Sequence, residues 1–322
     1  MERCSLMNPQ IAVLMGGVSS EREVSLKSGA AVFSALLETF PDAVLMDVET
    51  PVLPADLNPR KHVVFSVMHG TFGEDGQFQE LCDRAGVHYC GCHAASSRLC
   101  MNKALTKDTV SAAGVPGIPG MVYSAENRPS AESIVRELGD HVVFKPVAEG
   151  SSVGLSFADT VEAVANILAT HESGEWIVEK RIYGRELTVG VLGGNAMGVV
   201  EIIPDSGVYD YESKYTPGTT RYEFPANLSD AVTGTLRSYA EAAFNAAQCR
   251  DFARIDFLLT DDQTPWFLEI NTLPGLTATS LLPKSASCVG INFPELACRM
   301  IQPAIQRFKL QHAAHDVQPQ TT

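Results

Sequence analysis

The 322-residue chain is short of positive charge: 24 Lys and Arg stand against 38 Asp and Glu, a formal net charge of −14. With a pI near 5.0, nothing would offset phosphate repulsion over a broad surface. Nucleic acid and anionic membranes are therefore excluded as main partners, and an anionic substrate would need lysines and arginines gathered locally. Long apolar runs are missing as well. The run IAVLM lies behind Glu2, Arg3 and Asn8 and is too short for a signal-peptide core or a membrane span, so the expected location is the cytoplasm. The pattern G-x-x-x-x-G-K-[ST] occurs nowhere, which removes a P-loop, and G-x-G-x-x-G is not matched after the first strand. No C-x₂-C pair exists. Cys82, Cys90, Cys92 and Cys100 cluster near His88 and His93, but without zinc spacing they read as reduced, semi-buried hydrophobes.

What is present fits a soluble globular protein of two or three domains with a sizeable core: 45% of residues are hydrophobic and 19% charged. The stretch IAVLMGGVSSEREVSLKSGAAVFSALLETF combines an apolar strand, a Gly/Ser turn and a helical pattern carried by Val24, Ala31, Val32, Ala35 and Leu36. Further βα units follow in HVVFSVMHG and GQFQELCDRAG, where Gly86 is placed to stop a helix, giving an α/β unit to about residue 91. The helix in MNKALTKDTVSAAGVPGIPG ends in a Gly/Pro cluster. Strands HVVFKPV and LSF, helix TVEAVANILATH and strand EWIVEKRI then close a middle unit near residue 183. The remainder holds strands ELTVGVLGG and AMGVVEIIP, a loop region YDYESKYTPGTTRYEFP, a long helix through Ala247, a hairpin, a last helix to about His312 and a polar tail.

Two stretches carry chemistry. In FARIDFLLTDDQTPWFLEINTLPG, Arg254 and Asp256 share one strand face, as do Glu269 and Asn271. A turn over Asp261 to Thr264 would set Asp256 opposite Glu269 and Arg254 opposite Asn271. Facing carboxylates repel unless something positive lies between them, and two carboxylates with an amide oxygen are ligands that Mg²⁺ takes. On this stretch alone a solvent-facing polar side stays open as the alternative. In VVFKPVAEGSSVGLSF, Lys145 sits on an apolar strand beside a Gly/Ser loop whose N–H groups and Ser151 and Ser152 hydroxyls are able to close over phosphates. Taken singly, Lys145 also reads as a snorkelling strand-edge lysine. Glu179, Lys180 and Glu186 follow in order.

Together these residues resemble the ATP-grasp superfamily and, within it, the D-alanine–D-alanine ligase family, over residues 11 to 300. The motifs are GGVSSEREVSLKSG, HGTFGEDGQFQ, KPVAEGSSVG, VEKRIYGREL, YDYESKY, RIDFLL and LEINTLPGLTATSLLP. The resemblance implies an α/β fold, α+β in the ATP-grasp portion, of three domains. These are an N-terminal Rossmann-like parallel-sheet domain on the first D-alanine's side (1–91), a central ATP-grasp subdomain (92–183), and a C-terminal subdomain with the metal hairpin and the tail (184–322). The implied activity joins two D-alanines through an acyl phosphate for peptidoglycan precursor synthesis. A D-alanine–D-lactate ligase and a catalytically silent nucleotide-binding protein are the alternatives.

By the same resemblance, ATP is held by Lys103, Lys145, Ser151, Ser152, Glu179, Lys180, Ile182, Glu186 and Lys214. Lys103, Lys145 and the Ser151 loop meet the phosphates, Glu179 and Lys180 the adenine, and Glu186 the ribose. Asp256, Glu269 and Asn271 hold a pair of Mg²⁺ ions, for which Mn²⁺ is able to substitute. Arg254, also a substrate contact, stabilises the tetrahedral oxyanion with the Gly275 N–H, while its bland role is a salt bridge to the acids. Glu21 holds the first D-alanine's ammonium and His69 lies near that substrate's carboxylate; Glu21 taken alone reads as a first-turn helix acid. Glu21, Ser151 and Tyr215 form a hydrogen-bonded set linking the domains. Lys214, Ser280 and the Leu281 backbone receive the second D-alanine's carboxylate, with a helix N-cap as the plain reading of Ser280. A homodimer is the family's expected assembly.

Overall fold

The first apolar run forms β1 (Gln10–Gly16), and the chain turns out of it through Gly16 and Gly17 at φ +85° and +88°, a region that L side chains avoid. That turn feeds α1 (Arg22–Leu37), whose first residue reaches back to donate to the Val48 carbonyl at 3.1 Å and to Asp47 Oδ2 at 2.7 Å. The sheet is completed by β2 (Val44–Val48), β3 (His62–Ser66) and β4 (His88–Tyr89), all parallel in the order β2-β1-β3-β4. Between β3 and β4 lies α2 (Gln77–Ala85), and Gly86 ends it at φ +68° as its sequence implied. These coordinates come from a computed structural model that describes residues 8–148, 150, 154–205 and 218–316.

Two short helices follow, α3 (Ala94–Met101) and α4 (Lys103–Ala112), hinged at Asn102, whose side chain caps the second by accepting from the Leu105 N–H at 3.0 Å. The middle sheet is antiparallel, ordered β5 (Gly120–Ser124), β8 (Glu175–Lys180), β6 (Val142–Pro146), β7 (Ser156–Ala158). Helices α5 (Ala131–Leu138) and α6 (Val161–Thr170), N-capped by Ser130 and Thr160, pack on it around Tyr123, Ile134, Phe144, Val164 and Val178. The sequence pattern does not show β2, α3, β4, β5 or α5. Each is short, α3 and α5 being the longest at 8 residues, so none fills a window long enough to show its period.

The third sheet is antiparallel, ordered β11 (Thr220–Glu223), β10 (Asn195–Pro204), β9 (Arg185–Leu192), β12 (Phe252–Leu259), β13 (Pro265–Asn271). Thr220–Glu223 fell inside the segment read as loop; pairing with β10 at the sheet edge overrides its weak apolar pattern. Helix α7 (Asp230–Ala246) covers one face of this sheet, burying Leu236, Ala240 and Phe244 against Val189, Ile255 and Phe257. The chain ends in α8 (Leu281–Ser287) and α9 (Phe293–Asp316). Rather than stopping near His312, α9 continues to Asp316, and it lies on the first sheet, where Leu296, Ile301 and Phe308 share a core with Ile11, Val13 and Phe65. The described cysteines are free thiols; Cys82, Cys90, Cys92 and Cys100 are buried, deeper than their sequence implied.

A buried charge cluster fastens α9 and the start of β12 to the first sheet. Asp251, in the left-handed region at φ +63°, takes both arms of Arg307 at 2.9 and 2.7 Å and the Gly91 N–H at 3.0 Å, while Arg307 also donates to the Tyr89 carbonyl. Without Arg307, the Asp251 carboxylate keeps, among the described residues, only the Gly91 N–H and the more distant Arg250 Nε at 3.8 Å. Arg307→Met is therefore expected to cost about 2 kcal/mol of stability, read as a lowered urea midpoint; an unchanged midpoint would show that this cluster does not hold the sheets together.

Candidate active site

Strands β12 and β13 pair in the register read from the sequence: Arg254 faces Asn271 and Asp256 faces Glu269, before a bulge shifts the pairing beyond Asp256. The acids point away from the α7 side. Asp256 is 4% exposed and fully engaged. Its Oδ1 accepts from Thr188 Oγ1 at 2.5 Å and Arg254 Nε at 3.0 Å, and its Oδ2 from Arg254 Nη2 at 2.8 Å and Asn271 Nδ2 at 2.9 Å. Asn271 Nδ2 also lies 3.4 Å from Glu269 Oε1, so the amide places partial positive charge between the facing carboxylates. A half-turn of that amide presents Oδ1 instead, and the set then supplies the hard oxygens that suit Mg²⁺.

Two cavities meet at this hairpin. The first, about 420 Å³, lies between the middle and third sheets and is lined by Lys103, Lys145, Lys180, Ile182, Glu186, Leu258 and Glu269, among others. Lys145 stands on β6, an inner strand, so it is not at a sheet edge. Its Nζ is 2.7 Å from Glu179 Oε2, and the other oxygen of Glu179 is in contact with the ammonium of Lys107. Glu179 is 1% exposed and Lys107 7%. Burial pushes the Lys107 ammonium well below its ordinary value; Lys145 adds to that, Glu269 opposes it and Lys103 adds again. At the cavity mouth the Arg181 guanidinium lies between the rings of Phe157 and Tyr183, 4.5 and 4.8 Å from their centroids.

The second cavity, about 590 Å³, opens between the first and third sheets and receives Glu21, His69, Arg254, Glu269, Asn271, Gly275, Ser280 and Leu281. Glu21 occupies the N-cap position of α1, but its side chain makes no capping bond. His69 is buried, with Nδ1 3.1 Å from the Leu273 carbonyl and Nε2 3.1 Å from Ser28 Oγ. Because a carbonyl only accepts, that contact keeps a proton on Nδ1 and ties the first sheet to the chain leaving β13. Ser280 is the N-cap residue of α8, yet its hydroxyl accepts from the Thr277 N–H at 3.1 Å rather than capping the helix. Lys103, Gly150 and Glu269 line both cavities. Ser151, Ser152, Lys214 and Tyr215 lie outside the described residues.

Sequence reasoning missed Lys107, Thr188 and Lys284. The first had a usable signal, since its four-residue spacing from Lys103 places both on one helix face. Thr188 had none, because only the pairing of β9 with β12 brings it beside Asp256. Lys284 lies one turn beyond Ser280, in the wall of the second cavity, with its ammonium 4.4 Å from the centre of the Tyr222 ring and its pKa pushed down by burial.

A nucleotide-sized cavity between two antiparallel sheets, beside a parallel-sheet unit and with an acid hairpin at the seam, is the arrangement of an ATP-grasp enzyme. The family model described as D-ala D-ala ligase C-terminus matches residues 110–302. The chain is 41% identical over 300 residues to a D-alanine–D-alanine ligase from Anaeromyxobacter sp. (strain K), a match covering 92% of this chain and 96% of that protein. Among solved structures, the Bacillus anthracis D-alanine–D-alanine ligase complexed with ATP superposes with a TM-score of 0.81 at 27% identity, covering 95% of this chain and 99% of that one. The VanG D-Ala:D-Ser ligase from Enterococcus faecalis gives 0.79 at 27% identity, covering 92% and 100%. The chain belongs to the D-alanine–D-alanine ligase family.

Arg254 holds Asp256 through two parallel N–H bonds that a lysine cannot reproduce. Arg254→Lys keeps the charge but not the forked hold on Asp256, and is expected to lower kcat by about 10- to 100-fold, the range lost with an outer partner where the carboxylate it holds serves a metal. Steady-state phosphate release checks this, and near-normal turnover would detach Arg254 from the chemistry.

Proposed function

We propose that this protein joins two D-alanines to D-alanyl-D-alanine at the expense of ATP, through an acyl phosphate, for cell-wall precursor synthesis. One observation carries the reading: the nucleotide-sized cavity and the smaller-substrate cavity meet at Lys103, Gly150 and Glu269, so a terminal phosphate entering from one side arrives beside a carboxylate held in the other. A carboxylate is a poor electrophile, and phosphorylation converts it into one that an amine attacks.

Lys103 and Lys145 provide positive charge at the phosphates, with Glu179, Lys180 and Ile182 along the adenine side and Glu186 at the ribose. Glu21 takes the first D-alanine's ammonium, and His69 lies near that substrate's carboxylate. Arg254 and the Gly275 N–H face the oxyanion that forms when the second amine attacks; Ser280 and the Leu281 N–H receive the second carboxylate. Asp256, Glu269 and Asn271 would hold Mg²⁺, or Mn²⁺ in its place, which supplies Lewis acidity and neutralises the β and γ oxygens when bound. Ser151, Ser152, Lys214 and Tyr215 complete the set by family likeness. The same likeness supports division into 1–91, 92–183 and 184–322, a homodimer, and work in the cytoplasm; no helix among the described residues is long and apolar enough to cross a membrane.

Three measurements test this. Mg-ATP with D-alanine should release phosphate and yield a product with the mass of the dipeptide; release without that product would overturn the assignment. With D-lactate supplied at equal concentration near pH 7, the dipeptide should stay the main product, because Tyr215, neutral below about pH 10, offers a bare anion no cation at that position. An ester as main product would make the protein a depsipeptide ligase. Glu269→Gln should keep the fold and lose more turnover than the about 10- to 100-fold that outer partners of a metal site account for, since it removes a charge from the metal set itself.

A further inference from the structure

Lys284 lines the second cavity, and the reaction above makes no use of it. It stands on α8, where Leu281, Leu282, Pro283, Ser285 and Ala286 are all buried and Lys284, between them, is only half-buried. The helix is pinned next to it, since Ser285 Oγ accepts from the Gly190 N–H at 2.9 Å and donates to the Gly198 carbonyl. Its backbone position is therefore fixed. Because helical side chains tilt towards the start of their helix, a lysine four residues beyond Ser280 leans back over the turn that carries Ser280.

The ammonium rests on rings. Nζ lies 4.4 Å from the centre of Tyr222 and 5.8 Å from that of Phe224, and among the described residues it pairs with no carboxylate. Ring faces attract a cation but carry no net charge, so this half-buried ammonium lacks a counter-ion. Burial alone lowers its pKa, with no acid raising it, and an anion arriving in the cavity would reverse that. The other described basic groups of the cavity wall are committed or remote: Arg254 is held by both oxygens of Asp256, Lys103 is shared with the nucleotide cavity, and Lys27 is exposed on α1. A second amino acid has to bring its carboxylate into a space that also receives phosphate. It needs a cation that the nucleotide does not use.

Resting on the dipeptide-forming reading, we propose that Lys284 is a further substrate-binding residue, whose ammonium pairs with the carboxylate of the second amino acid and so selects a nucleophile that carries one. A Lys284 that only covers the Tyr222 ring and complements the carbonyl end of α8 would affect melting and leave selectivity alone.

The test sets two nucleophiles against each other: D-alanine, and D-alaninamide, which keeps the amine and the methyl group but has no carboxylate. Both products share the same first step, so the ratio of dipeptide to dipeptide amide, read by mass spectrometry from one mixture with ATP and magnesium, reports the second site alone. Lys284→Met is expected to lower that ratio by about tenfold or more, the loss that goes with a hydrogen bond between charged groups, with the KM for ATP within about twofold. A ratio within about twofold of the unmodified protein's overturns the proposal, as does a KM for ATP that rises as far as the ratio falls. Where the unmodified protein makes no measurable amide, the D-alanine concentration at half-maximal rate decides instead, with a rise of about tenfold expected and a change within twofold counting against Lys284. Should K284M not fold, Lys284→Gln is read in the same way. The two readings fail separately: no dipeptide from the unmodified protein would refute the proposed reaction, whereas normal dipeptide formation with a ratio indifferent to K284M would refute only the part given to Lys284.

Discussion

Two carboxylates set face to face across an antiparallel strand pair are the constraint around which the rest of the site is arranged. Asp256 and Glu269 oppose each other in the register of β12 and β13, and a sheet pays for like charges in that position unless donors surround them. Arg254, Thr188 and Asn271 are those donors, and each comes from a strand of the same sheet. The pleat sends Ile255, Phe257 and Ile270 to the opposite face, where α7 buries them. One sheet thus keeps its polar chemistry and its apolar core apart by alternation alone.

The cavities owe their positions to links between sheets. The Asp251–Arg307 cluster fastens α9 and the start of β12 to the end of β4, and His69 reaches from the first sheet to the Leu273 carbonyl just after β13. Both links are short and end on a buried side chain, Asp251 or His69, so the wall carrying Glu21 is referenced to the wall carrying Arg254. The wall of the first cavity is tied together by charge instead: Glu179 lies between Lys107 on α4 and Lys145 on β6.

Much of the site was legible because its residues sit on elements with strong local signals. The period-2 pattern of 252–271 around its DDQT turn showed both strands, and the pairing of Asp256 with Glu269 holds, although next to the turn the register is one residue off and only the bulge beyond Asp256 restores it. Glycines marked where β1 turned and α2 stopped. Less legible were elements whose signal lies in what they pack on. Strand β11 is polar and exists because β10 offers it an edge; α3 is eight residues, with Ser96, Ser97 and Cys100 as its buried face.

Local order, the α/β class and the identity of the acid hairpin follow from the amino-acid sequence, because periodicity, turn chemistry and ordered motifs act between near neighbours. Which groups share a charge was decided by the tertiary structure. Lys107 and Glu179 are far apart in the chain, as are Thr188 and Asp256, and Arg307 and Asp251; each pair forms only when packing removes water from both partners. That desolvation makes such contacts strong enough to matter, and no local pattern records it.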